Sequence, residues 1–403
     1  MWKPGGVPRF EPFIGLRYRP DRALDRVTAP PYDVLSASDR DRYGSLDATN
    51  VVHIDVPAPP EGAERYDNAA ELLAAWQADG TLVPDPAPSF TRYRMTFPDE
   101  ARRPRAITGY IGGLEVLPLD ATGDVLPHEQ TTPKDRSDRL DLTRATDANL
   151  SPVWGLSMAD GFADLAELSG AAIGSFTADG VTHDLTRIDD PSACARIAGV
   201  IGGAPVVIAD GHHRYAVART FRAERRTAAH DAAGGYDLTM TLVTALSPEG
   251  LFVQAIHRLV DEVPAGFDLP GHLARSFELS PAGAITPAAA VKVVTQGALC
   301  LVAPDGTGTW LRPRAGAFAG LRDLDSLRLQ AALADVPHDV RYQHGVDRVL
   351  AALAAGQAQW GVLLRPVPIA EIRRTATEHI LMPPKSTFFA PKPPTGLVLR
   401  PLG

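Results

Sequence analysis

Cysteine is nearly absent from this 403-residue chain: Cys194 and Cys300 are the only two, with no CxxC spacing. That excludes a disulfide framework and a zinc ribbon, and leaves a reducing, cytoplasmic location as the expectation. Lysine is also scarce, with Lys3, Lys134, Lys292, Lys385 and Lys392 the only ones among 40 basic residues. No apolar run approaches the length of a bilayer span, and the opening MWKPGGVPRFEPF lacks the apolar core of a signal peptide. A positive balance is missing too: the net charge of −8 argues against a broad electrostatic grip on nucleic acid. Neither a membrane nor a nucleic-acid partner is therefore expected, and small-molecule substrates are.

What remains is a chain with 45% hydrophobic and 22% charged residues, the composition of a globular protein long enough for two or three domains. Strand and helix patterns alternate, which predicts a mixed α/β (α+β) fold. Val51–Val56 reads as a strand and Arg65–Ala78 as a helix. Phe90–Phe97 and Ala106–Val116 read as a strand pair, the second weakened by Gly112-Gly113. Leu238–Leu246 is a further strand. From about Val263 helices at Leu324–Ala334 and Asp347–Ala355 alternate with strands at Leu299–Ala303, Thr309–Arg312 and Trp360–Leu364. The division expected is a catalytic region over 1–262 and a C-terminal α/β region over 263–403.

The most informative stretch is Ala204–Arg226. The apolar run Pro205–Ala209 predicts a buried strand, and Tyr215, Ala218, Phe221 and Arg222 recur at helical spacing. The junction is Asp210-Gly211-His212-His213-Arg214. A strand feeding a helix through a glycine turn offers free backbone N–H groups where the helix dipole favours an anion. Capping alone accounts for Asp210 and Gly211, but not for two imidazoles and a guanidinium in succession. The chemistry this suits is phosphate. Adjacent side chains diverge, so His212 and His213 do not form a zinc pair.

Three other segments carry chemistry. His128–Arg139, HEQTTPKDRSDR, places seven ionisable groups in twelve residues between apolar stretches. It is not HExxH, and it reads either as a solvated loop or as a source of a proton acceptor (His128, Glu129), a metal ligand and phosphate clamps (Lys134, Arg136, Arg139). Thr28–Ser36 sets Asp33 in a turn after Pro30-Pro31. The tail from His379 has no carboxylate, holds Lys385-Ser386-Thr387, Phe388-Phe389 and Lys392, and is expected to fold back with its phenylalanines buried. It lacks the glycines of a P-loop. His257-Arg258 is a weaker signal.

Taken in order, PYDV (Pro31–Val34), HExT (His128–Thr131), DGHHRY (Asp210–Tyr215) and MPxKSTxFxPKxxxGL (Met382–Leu397) resemble a bacterial and archaeal family of conserved domains of unknown function. The DGHHRY box is in turn similar to the phosphate-handling box of the ParB/sulfiredoxin superfamily, whose members include free-serine kinases. The resemblance implies a ParB/sulfiredoxin-like catalytic core with an additional C-terminal α/β region. It also implies phosphoryl transfer without fixing donor or acceptor; the leading expectation is a kinase acting on the hydroxyl of free L-serine or a similar substrate, with pyrophosphate or ADP/ATP as donor. Gly211 to Arg214 would hold the donor phosphates, with Lys134, Arg136, Arg139, Lys385, Ser386, Thr387 and Lys392 adding donors and positive charge. His213, His128, Glu129 and Asp33 are the candidate catalytic groups, Glu129 or Asp33 being the base. Mg²⁺ is expected, with Asp210 and Glu129 as its ligands. The alternatives are a ParB-like nucleotide-binding or hydrolysing regulatory protein, for which no basic helix-turn-helix is legible, and a sulfiredoxin-like reductase, which would need a cysteine where His212 stands.

Overall fold

A computed structural model of the chain describes residues 7–58, 64–119, 123–130 and 137–403. Its largest sheet has nine strands: β1 (Phe10–Glu11), β2 (Phe90–Pro98), β3 (Pro104–Glu115), β4 (Val125–Pro127), β5 (Val153–Ser157), β6 (Ala171–Ala178), β7 (Val181–Ile188), β8 (Val206–Asp210) and β9 (Leu238–Ala245). Their spatial order is β4-β8-β5-β9-β3-β2-β7-β6, with β1 on the far end of β3. The β4–β8 and β5–β9 pairs are parallel and the others antiparallel, so the sheet is mixed.

The glycine pair in β3 does not break the strand. Phe10 and Phe90 stack at 5.1 Å between ring centroids over this stretch, and a Cβ on Gly112 would come within 2.6 Å of either ring. The strand therefore needs glycine there so that two aromatic rings can lie against its backbone. Helix α1 (Glu64–Ala78) buries Tyr66, Ala69, Leu73 and Trp76, the apolar face its spacing prescribes. Helix α2 (Pro191–Ile201) starts at Asp190, whose side chain accepts the Ala193 N–H, and it buries Cys194. Helix α3 (His212–Ala228) packs Tyr215, Val217, Ala218 and Phe221 inward. Among the described residues no helix is long and apolar enough to cross a membrane.

One local expectation is corrected. Val51–Val56 is not a strand: Val52–Asp55 is a single helical turn. Asn50 decides it, because its side-chain oxygen accepts the Val52 N–H while its amide donates to the carbonyls of Arg26 and Thr28. Val51, Val52 and Ile54 are all buried, so burial spoke equally for either geometry.

A second sheet of six strands begins at Ile256–Asp261, on the N-terminal side of residue 262, and runs through Trp360–Leu363. Its core is built from Phe277, Leu299, Leu301, Leu311 and Val362. From Leu381 onward the tail returns to the first sheet's neighbourhood. Phe389 pairs with Val253, Thr395 with Ala29, Leu399 with Leu16 and Arg400 with Asn149. Phe389 is buried against His128 and Trp154, while Phe388 is only partly covered and stacks on His344.

Candidate active site

Strand β8 ends at Asp210, Gly211 turns the chain with φ 84°, and α3 begins at His212. The first intrahelical bond runs from Tyr215 N to Gly211 O at 2.9 Å, so the amides of His212, His213 and Arg214 stand ahead of the helical ladder. A left-handed φ is what glycine supplies without strain, and a Cβ at 211 would sit 3.0 Å from the Arg214 Nε. The turn also makes no side-chain cap. Asp210 is therefore not the cap that a purely structural reading expects.

Asp210 instead anchors a chain of charges. Its Oδ2 accepts from Arg214 Nη2 at 2.6 Å and its Oδ1 from Lys392 Nζ at 2.8 Å. Lys392 also donates to Asp33 Oδ2 at 2.8 Å, and Arg214 donates to the Pro152 carbonyl. Burial opposes the Asp210 charge, but Lys392 and Arg214 outweigh it and hold its pKa down at about 2. Burial likewise opposes the Lys392 ammonium, yet Asp210 and Asp33 raise its pKa. Below Arg214 a crevice of about 50 Å³ is lined by Tyr32, Asp55 and Arg139. Arg139 lies over the Tyr32 ring at 4.4 Å and donates to Asp55. Tyr32 and Asp55 were not among the sequence candidates; Asp55 was hidden in what read as a strand.

The second half of the site comes from two loops side by side. Met382 N donates to His128 O at 3.1 Å and Gln130 N to Met382 O at 3.0 Å, so the Lys-Ser-Thr loop runs parallel to the His-Glu loop. His128 is fully buried, with Nδ1 2.7 Å from the Ile208 carbonyl and Nε2 2.7 Å from the Thr387 hydroxyl. A carbonyl only accepts, so in the neutral ring Nδ1 carries the proton and Nε2 accepts from Thr387. Both nitrogens are thereby committed. His128 was expected among the catalytic groups; its geometry makes it a positioning residue for Thr387. Glu129 accepts the Ser386 N–H on Oε2 at 3.1 Å, and Ser386 Oγ donates to Pro383 O. The Oε1 of Glu129 makes no hydrogen bond among the described residues.

Between these halves lies His212. Its ring centroid is 5.1 Å from that of His128, and its Nε2 is buried with no hydrogen-bond partner among the described residues. Burial, then His128, pushes its pKa down to about 3, with Asp210 opposing and His213 and Lys385 adding to the fall. Such an orphaned polar atom costs about 1–3 kcal/mol unless a ligand atom meets it. Lys385 is exposed, in a left-handed conformation (φ 56°), and its carbonyl accepts from Arg258. His213 follows His212 in the first turn, half-buried. Thus Asp33, Glu129, Asp210 to Arg214, Arg139, Lys385 to Thr387 and Lys392 belong to one contiguous region. Lys134, Arg136 and Thr131 lie outside the described residues.

The donor set does not fit a cation held by Asp210, because each of its oxygens already faces a cationic nitrogen. Among the described residues no group of three or more His, Cys, Asp or Glu side chains is placed to hold a metal ion. Both cysteines are buried, and burial raises the thiol pKa of each, that of Cys300 to about 12. Neither is a nucleophile for a sulfiredoxin-like reaction.

The family model described as "Protein of unknown function (DUF1015)" matches residues 10–327. The chain belongs to that family. No curated protein matches this DUF1015 chain. Among solved structures it is similar to a conserved hypothetical protein from Pyrococcus furiosus, with 12% identity, coverage of 66% of this chain and 87% of that one, and a TM-score of 0.33. A free serine kinase in complex with AMP matches at 11% identity, 66% and 84% coverage and a TM-score of 0.33. SbnI with a C-terminal truncation, from Staphylococcus aureus, matches at 11% identity, 69% and 82% coverage and a TM-score of 0.37.

Proposed function

We propose that this DUF1015 protein is a small-molecule kinase that transfers a phosphoryl group from pyrophosphate or a nucleotide to the hydroxyl of L-serine or a similar acceptor. The observation that carries the reading is the buried Nε2 of His212 at the start of α3, which has no hydrogen-bond partner among the described residues, near the exposed Lys385. A phosphoryl oxygen would satisfy that nitrogen, and the amides of His212 to Arg214 would hold a second oxygen at the positive end of the helix. Lys385 would neutralise charge over the transferring group.

Phosphoryl transfer needs charge neutralisation, in-line positioning and a base for the accepting hydroxyl. Glu129 fits the base better than Asp33: Asp33 is committed to Lys392, whereas Glu129 is held by Ser386 N–H on one oxygen and its other oxygen has no hydrogen bond among the described residues. The motif resemblance set out above supports the same chemistry. No step is assigned to Mg²⁺, since Asp210 is not disposed to hold it.

The test is a matrix of donors (pyrophosphate, ADP, ATP, CTP) against acceptors, in Mg²⁺ buffer, read by phosphorus NMR. Phosphoserine or another phosphate monoester from any donor is the expected result, with His212→Ala and Lys385→Met each lowering kcat/KM by about 100-fold or more. Hydrolysis of CTP that needs no acceptor would instead favour a ParB-like regulatory protein. Turnover of both variants within about twofold of the parent would remove the site assignment.

A further inference from the structure

A cavity of about 460 Å³ opens between the two sheets, and no step of the proposed transfer has yet used it. Phe252, Leu324, Val367 and Ile369 form apolar walls, and Ser386 of the Lys-Ser-Thr loop closes one end. Ser386 is the residue whose amide holds Glu129. None of Asp210 to Arg214, and not Lys392, lines this space. Glu129 itself does not line it either, so the cavity meets the base side of the site through Ser386 alone and has no wall in common with the phosphate cradle.

We propose that this cavity is the acceptor subsite, and that it selects an alcohol with an apolar body and an anionic group over a bare amino acid such as serine. The inference rests on the kinase reading for the reaction, though not for the binding. In-line transfer sets acceptor and leaving group on opposite sides of phosphorus, so a cavity that meets the site through Ser386, the residue whose amide holds the base Glu129, suits the acceptor. A volume of this size is that of ordinary small-molecule sites, far more than serine fills. The anionic group follows from the charges in the lining. Asp325 takes Arg365 on both oxygens, and Asp323 takes Arg328 at 2.6 Å. Arg105 has only the carbonyls of Pro248 and Leu251. It is the cation of the lining without a carboxylate partner among the described residues.

In the reaction the acceptor oxygen attacks phosphorus and forms the new O–P bond. The bridging P–O bond of the donor breaks, and its electron pair leaves with inorganic phosphate from pyrophosphate, or with a nucleotide shortened by one phosphoryl group. The hydroxyl proton passes to the Glu129 carboxylate.

The probe is 3-hydroxyoctanoate, measured by titration calorimetry against the full chain and compared with L-serine. The parent is expected to bind it with a Kd lower by about tenfold or more than that of L-serine. Ser326→Trp, at the cavity wall and outside the catalytic groups, is expected to weaken that binding by about tenfold or more and to leave any L-serine turnover within about twofold. Arg105→Met is expected to weaken the acid but not its methyl ester. Where Ser326→Trp fails to fold by circular dichroism, Val294→Trp on the exposed rim takes its place. Equal binding in parent and blocked variant, or tighter binding of L-serine, overturns the subsite. If phosphoserine forms yet the hydroxy acid does not bind, the subsite falls and the kinase stands. If the binding pattern holds but no donor yields a phosphate ester, the subsite stands and the kinase falls.

Discussion

Lys392 Nζ lies 2.8 Å from Asp210 Oδ1, although 182 residues of chain separate the two. The same ammonium holds Asp33, 359 residues away. One lysine thus ties the N-terminal turn, the mid-chain crossover and the C-terminal tail together, and a lysine fits because a compact charge can face two carboxylates at once.

Lys392→Met removes that charge and leaves Asp210 to Arg214 alone. We expect a loss of about 3 kcal/mol in urea unfolding at pH 7, the lower end of the range for a broken buried pair because Arg214 still faces Asp210. Adding Asp210→Asn should cost less than the sum of the single changes, since each single change already removes the Lys392–Asp210 attraction. Strict additivity would show that the pair has no coupling.

Gly211→Ala tests the crossover itself. The backbone at φ 84° disfavours a Cβ, which would also press on the Arg214 guanidinium at 3.0 Å. We expect about 1–2 kcal/mol of destabilisation. Pyrophosphate binding by calorimetry should weaken by about tenfold, because the turn aims the first amides of α3. Unchanged affinity would mean that the anion sits elsewhere.

Strand β8, its glycine turn and helix α3 were legible because three local signals agree there: an apolar run, a glycine and a helical period. The approach of the tail to the site was legible only as an oddity of composition around Lys385 and Lys392. What could not be read is which partners consume each group. His128 looks like an acid–base residue by type, yet the Ile208 carbonyl and the Thr387 hydroxyl, 80 and 259 residues away, occupy its ring. Val51–Val56 shows the matching failure in the fold, because so short a stretch of mostly buried residues fits a strand or a helical turn alike and the Asn50 side chain settles the matter.

Buried histidines set the acid limit of the protein. Burial depresses His183 to about 4, His257 to about 4 and His212 to about 3, against an ordinary value of 6.5. In the window between those values the unfolded chain binds protons that the native state refuses. Stability is therefore fully present above pH 6.5 and is lost as pH falls toward 4. Each histidine should account for about 1–2 kcal/mol between pH 7 and pH 5. His183, 3% exposed with Nδ1 2.6 Å from the Tyr93 hydroxyl, is the clean control. Urea midpoints that do not move over this interval would contradict the burial of these rings. If pyrophosphate meets His212 Nε2, its presence should protect the protein and reduce the acid loss.

Glu129→Gln separates the base from its scaffold. The amide keeps the size of the carboxylate and its oxygen can still accept the Ser386 N–H, so the two loops stay in register. It cannot take the acceptor proton at neutral pH. We expect kcat to fall by about 10²–10⁴, the usual contribution of a positioned general base, with pyrophosphate affinity unchanged. Asp33→Asn should instead act on stability through Lys392 and leave kcat within about threefold. The pair of variants therefore decides between the two carboxylates: a large fall in kcat for Asp33→Asn alone would move the base to the N-terminal turn, and with it the side from which the acceptor enters.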